Sequence, residues 1–178
     1  AGIPGSLHER PWVDFAHNRN EALNLAPFGA NHYVLFIDAD EVLRAPEAFS
    51  WSALTADAYS LCVEYAGTTY RRCAMVSTRL QWKWVGVVHE YLTSSPAANK
   101  GYLEEPHIVV SHDGARSRDP DTYRKDAVLL ERALAAEPDN ARYAFYLAQS
   151  WRDAGEPAKA REAYVKRALM PGWPEETF

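Results

Sequence analysis

Little in this sequence invites a membrane, an oxidising compartment or a nucleic acid. No apolar run approaches the ~20 residues that a helix needs to cross a bilayer. The opening segment AGIPGSLHERPW lacks the charged start and apolar stretch of a secretory signal. Cys62 and Cys73 are the only cysteines, too few for a disulfide framework, and their apolar neighbours mark them as buried thiols. The formal net charge is −5, so the positive footprint needed for non-specific nucleic-acid binding is absent. We therefore expect a cytoplasmic protein with no membrane span and no nucleic-acid partner. An initiator methionine is lacking too, and the chain opens in loop-like sequence, so a piece of a longer polypeptide is expected.

What is present suits an ordinary globular chain. Of 178 residues, 47% are hydrophobic and 24% charged, which allows one or two small domains. At this size a chain buries roughly 70% of its unfolded surface. Aromatic residues reach 12%, with 6 Trp and 10 Tyr; such rings fill cores and also stack on sugars and bases.

Two regions differ in pattern. Residues 1–12 read as a loop punctuated by Gly2, Pro4, Gly5 and Pro11. The spacing of Phe15, Ala22, Leu23 and Leu25 predicts a helix over 14–26, ended by Pro27 and Gly29. Tyr33 to Ile37 is a continuous apolar run, expected to be a strand covered on both faces as in a parallel sheet. It stops at Asp38. Residues 57–65 and 71–78 read as strands around a turn at Gly67, and Trp84–Val88 and Ile108–Ser111 as two shorter ones. Residues 1–112 thus mix one helix with several strands, α/β or α+β, and the first region is bounded at 1–116. From 117 onward the pattern is helical. Asp119 is the expected N-cap, with Pro120 at the first helical position. Apolar stripes follow at Tyr123, Ala127, Leu130 and Leu134, then at Tyr143, Ala144, Leu147, Ala148 and Trp151, then at Ala160, Ala163, Tyr164 and Ala168. Pro138-Asp139-Asn140, Gly155 with Pro157, and Pro171 with Pro174 separate and end them. Residues 117–178 form this second, helical region.

The sharpest chemical feature is Asp38-Ala39-Asp40 at a strand end. Two carboxylates so close repel each other when ionised, and a divalent cation removes the conflict. All-oxygen donors favour hard ions such as Mg²⁺ or Mn²⁺, which also take phosphate oxygens. The plainer alternative makes Asp38 and Asp40 turn and cap residues before a helix that follows Glu41.

Two resemblances extend this reading. Phe15-Ala-His-Asn-Arg19-Asn20-Glu-Ala22-Leu23, followed by Tyr33-Val-Leu-Phe-Ile-Asp38-Ala-Asp40-Glu41, resembles the second half of a family 2 glycosyltransferase of the GT-A type. Trp84-Val-Gly86-Val-Val-His89-Glu90-Tyr91-Leu92 is similar to the acceptor-side segment of the bacterial subgroup that carries tetratricopeptide repeats. His112-Asp-Gly114 with Arg116 and Ser117 is similar to the end of its catalytic domain. In the helical region, Leu130 and Ala133 recur 34 residues later as Tyr164 and Arg167, which resembles a tetratricopeptide repeat of that period. The fold implied is α/β: a partial, Rossmann-like GT-A domain followed by tetratricopeptide-like hairpins. One and a half repeats cannot bury a core alone, since ~3 are usually needed. They are expected to dock on the α/β part or continue in a second chain.

The resemblance implies roles. Asp38 and Asp40 would hold the metal, Mn²⁺ or Mg²⁺, and the diphosphate of a nucleotide-sugar donor, with Asp40 the direct ligand. His112 would be a third ligand, or else a core or turn histidine. Glu90 would be the base that takes the acceptor's proton, with His89 its alternative; otherwise the two form a structural pair. Arg19 would pair with a phosphate or orient the Asp-x-Asp loop, and Arg116 would reach the diphosphate. Trp82 and Trp84 divide between core and cleft. Family members begin with a Lys-Asn-Glu strand and a second strand ending Asp-x-Gly-Ser-x-Asp; neither is present here. The strand at 33–37 is thus expected to have an unpaired side, and the chain alone to bind sugar nucleotides poorly, to be inactive, or to form a homodimer through exposed edges. A competing reading is a non-catalytic interaction module, a decayed transferase core whose repeats recruit a protein partner. A metallo-phosphoesterase built on Asp38, Asp40, His89 and His112 would need a second metal cluster that the sequence does not show. Donor sugar and acceptor stay unnamed.

Overall fold

A computed structural model describes residues 5–26, 32–96, 98–111 and 114–172, and shows a mixed α/β protein. The chain runs α1 (Phe15–Leu25), β1 (Tyr33–Leu35), β2 (Glu41–Arg44), a 3-10 turn at Trp51–Ala53, β3 (Ala58–Tyr65), β4 (Thr68–Ser77), β5 (Gln81–Val85), β6 (Tyr91–Ser95), β7 (Lys100–Val110), α2 (Ala115–Arg118), α3 (Thr122–Ala136), α4 (Ala141–Asp153) and α5 (Pro157–Ala168). Five strands form one sheet in the order β1-β4-β3-β7-β2, and β5 and β6 form a separate hairpin. Only β3 and β7 run parallel; the other pairs are antiparallel.

Local chemistry explains most of these elements. Asp14 caps α1 by accepting the His17 N–H at 2.7 Å. The β3–β4 hairpin turns on Ala66 and Gly67, with φ of 49° and 77°, the left-handed pair that suits the twist of flanking strands. Asn140 caps α4 through the Tyr143 N–H at 3.1 Å. Gly155, at φ 74°, ends the turn after α4, and Pro157 opens α5 where its missing N–H is not needed.

The sheet buries both faces. Tyr59, Leu61, Val63, Met75 and Ile108 form one cluster; Ala58, Val76, Trp84, Leu92 and the α1 residue Leu23 form the other. Met75 and Val76 fall in different clusters because successive side chains leave a strand on opposite faces. A third cluster, Val88 with Leu130 and Tyr143, packs the segment between β5 and β6 against α3 and α4. Ala127, Trp151 and Ala160 close the helical unit itself.

Three expectations from the sequence need correction. The apolar run at 33–37 does not run parallel to its neighbour: only Tyr33–Leu35 is strand, antiparallel to β4, and it lies at a sheet edge with one side unpaired among the described residues, as expected. Continuous apolarity signals cover on both sides but says nothing of direction. Glu41 opens β2, paired with β7, and no helix. Asp119 does not cap α3; its carboxylate takes the Asp121 N–H at 3.0 Å and pairs with Lys125, so α3 starts at Thr122 after the short α2. Among the described residues no helix is long and apolar enough to cross a membrane.

Candidate functional site

The sheet order sets the site. β1 and β2 lie at opposite edges, about 19 Å apart in a flat sheet at ~4.8 Å per strand. Residues 36–40 alone connect them, and these include a turn: the Glu41 N–H bonds the Asp38 carbonyl at 3.0 Å. Five residues with a turn cannot reach that far, so the sheet curls until its edges approach. Asp38-Ala39-Asp40 is therefore a β-turn bridging two sheet edges.

Helix α1 delivers the counter-charge. Asn20 docks on β5 as a strand would: its amide donates to the Trp84 carbonyl at 2.9 Å and accepts the Trp84 N–H at 2.8 Å. The preceding Arg19 then lies with its guanidinium 5.0 Å from the Trp84 ring centre. It donates to Glu90 Oε1 at 2.6 Å and to both Asp38 oxygens at 2.8 and 3.0 Å. These side chains are 24% (Arg19), 12% (Glu90) and 40% (Asp38) exposed. Charge-assisted bonds at this depth hold geometry better than surface pairs do.

A second pair stands behind the turn. Arg72 of β4 grips Glu41 with two bonds at 2.7 and 2.8 Å and lies 3.9 Å from Asp38. Glu41, with its side chain 3% exposed, also accepts the Asp38 N–H at 2.9 Å. Burial opposes the charged form of Glu41, but the Arg72 and Asp38 hydrogen bonds and the Arg72 and Arg19 charges outweigh it, so its pKa falls below the ordinary value. Burial likewise opposes the Arg72 cation, and Glu41 outweighs it upward. The sequence reading missed Arg72. An arginine in a strand that turns inward over its next residues is the signal that would have found it, because a charge there needs a partner.

Asp40 faces the other way. Its carbonyl accepts the Ser111 N–H at 2.7 Å. Gly114 packs so closely on its carboxylate that a Cβ there would overlap Oδ2. Ser111 and Gly114 flank His112, which lies outside the described residues.

The remaining candidates go elsewhere. His89 adjoins Glu90 but turns to the helices: its ring stacks on Tyr146 at 4.1 Å and 20°, and its carbonyl accepts from Arg142 at 2.6 Å. It sits at φ 52°, a left-handed conformation uncommon outside glycine and found mostly at constrained turns. His89 is exposed as a residue, yet packing desolvates the imidazole enough to lower its pKa, with Arg116 and Arg142 assisting and Asp126 and Glu90 opposing. Arg116 pairs with Asp126 at 2.6 Å and covers the Phe15 ring, away from Asp38. Trp84 is buried and Trp82 half-buried, its indole N–H on the Ser77 carbonyl at 2.8 Å.

The donor chemistry bears on a metal. Asp38 and Asp40 supply hard carboxylate oxygens, but Asp38 already has both on Arg19. Among the described residues no three His, Cys, Asp or Glu side chains gather as a ligand set. Asp40 is thus the better oxygen donor, and a full ligand shell requires groups beyond the described residues. A cleft of about 840 Å³ opens beside Glu90, between the sheet and the start of α4.

Compared with known proteins, the chain matches no protein-family model and no curated protein, so its chemistry has to be read from residues and geometry.

Proposed function

We propose that this chain carries the metal- and acceptor-side half of a glycosyltransferase that moves a sugar from a nucleotide-sugar donor to an acceptor hydroxyl with inversion. One observation carries the reading: Arg19, Asp38 and Glu90, from three separate segments that each resemble the family, meet within ion-pair distance. In this reading residues 1–116 are part of a GT-A domain, and residues 117–178 are tetratricopeptide-like hairpins that dock through Val88.

Glu90 is the base. Arg19 occupies its Oε1 and leaves Oε2 for the acceptor hydroxyl at the cleft. As the hydroxyl oxygen attacks the anomeric carbon, its proton passes to Glu90 and the bond to the nucleoside diphosphate breaks. Asp40, with Asp38 and His112, would hold Mn²⁺ or Mg²⁺, whose positive charge stabilises the departing diphosphate. Contacts of Ser111 and Gly114 with Asp40 support including His112. Homodimerisation through the β1 edge would cover its unpaired side.

A second reading, a non-catalytic interaction module, gains from one fact: Arg19 already neutralises Asp38. Release of nucleoside diphosphate from a nucleotide-sugar panel separates the two, assayed with Mn²⁺ in the context of the whole coding sequence. Asp40→Asn is expected to cut turnover by about 100-fold or more with the fold intact. Near-normal turnover in that variant rejects the metal assignment, and no release with any donor rejects the transferase.

A further inference from the structure

The cleft beside Glu90 has a charge opposite to that of the whole protein. Five of its lining side chains are cations: Arg19, Arg71 and Arg72, Lys100 at the start of β7, and Arg142 of α4. Only two, Glu90 and Asp139, are carboxylates, in a chain of net charge −5. Arg19 and Arg72 are committed to the buried pairs described above. Arg71 and Lys100 are available to different degrees. Arg71 reaches Glu104 in a pair whose partners are both exposed, which water screens and an incoming anion readily displaces. Lys100 is exposed, with no carboxylate partner among the described residues. Arg142 lies 4.9 Å from the ring centres of Tyr91 and Tyr146 and donates to the His89 carbonyl at 2.6 Å. A concave wall with an excess of one sign between low-dielectric surfaces concentrates counter-charged ligands. Tyr91, nearly half exposed, puts an aromatic ring on the same wall, a surface on which sugars pack.

We propose that this cleft is an acceptor subsite selective for a saccharide bearing an anionic group, phosphate or carboxylate, held by Lys100 and Arg71. The assignment of an acceptor rests on the transferase reading; the binding of anionic sugars does not. Glu90 lies in the same cleft, so a ligand anchored by its charge presents its hydroxyls towards the base.

The test is titration of the chain, without metal or nucleotide, by glucose 6-phosphate, glucuronate, glucose and uridine diphosphate, followed by NMR at equal ionic strength. A phosphorylated or carboxylated sugar should bind at least about five-fold more tightly than glucose, and weaken as salt rises. The tighter of the two names the acceptor's group. Lys100→Glu and Arg71→Glu should each weaken it about five-fold or more, with Lys100→Arg near the original. Both positions are exposed, so far-UV spectra should not change. Equal affinity for glucose, or unchanged affinity in Lys100→Glu, overturns the proposal. So does binding of uridine diphosphate that these substitutions weaken, with no binding of the charged sugars. Charged sugars that bind while no nucleotide sugar is turned over would sink the transferase and leave the subsite standing.

Discussion

The sheet region and the helical region use charge in opposite ways. In the sheet region, charged side chains pair across long stretches of chain at depth: Arg19 with Glu90, 71 residues away, and Arg72 with Glu41, 31 away. In the helical region they pair mostly with neighbours at the surface: Arg152 with Asp153, and Lys166 with Glu162 one turn earlier. Distant buried pairs order a site, because neither partner can leave without stranding the other. Local exposed pairs contribute little to a fold that is held by Ala127, Trp151 and Ala160. The long-range pairs around the acidic turn belong to the sheet side, and the helices meet it through the segment at 86–90 and through the start of α4, where Arg142 lies over Tyr91.

Breaking the pair with the longest reach along the chain should have the largest effect. Arg19→Ala leaves Glu90 and Asp38 without their cation and should cost about 2 kcal/mol in urea denaturation. A change below about 0.5 kcal/mol would show the pairs to be surface-like and erase the contrast. Acid should act next. The folded pKa of Glu41 is depressed, so its contribution is fully present above the unfolded value near 4.5 and is lost as pH falls through the folded value. Denaturation midpoints should drop with acid in this window, and Glu41→Gln should flatten the drop. A parallel drop in both proteins would remove Glu41 from the account.

Tyr146→Ala sharpens the link between the regions. Stripping the ring from His89 should let its pKa rise towards 6.5, read by NMR, with a modest loss of stability. An unmoved pKa would mean that the Tyr146 ring does not desolvate His89 and that α4 holds this segment through Arg142 and Tyr143 alone. The smallest effect belongs to the helical surface: Lys166→Ala should leave the denaturation midpoint unchanged within error. A clear loss there would show that the helical unit also depends on its charges.

Local signals made the helical region and the β3–β4 hairpin readable. Asn140, Gly155 and Pro157 bound their helices by capping chemistry that acts over a few residues, and Gly67 turns a hairpin for the same reason. The site was half readable. Arg19, Asp38 and Glu90 carried sequence signals and do meet. Arg72 was missed: the inward turn of its own strand signals that it needs a partner, but nothing near it says that the partner is Glu41 of β2, 31 residues away. His89 and Arg116 looked equal to Glu90 and Arg19 in sequence but face Tyr146 and Asp126.

By itself the sequence determined the mixed helix-and-strand character, the ends of α1, α4 and α5 and the identity of the acidic turn, because propensity, capping and apolar spacing are properties of neighbouring residues. Only the tertiary structure decided that the Tyr33 strand runs antiparallel to β4, that the sheet curls to carry Asp38-Ala39-Asp40 across its mouth, and that Arg19 takes up both oxygens of Asp38. Strand register and charge pairing are settled by residues tens of positions apart, whose meeting depends on the closed shape of the whole sheet.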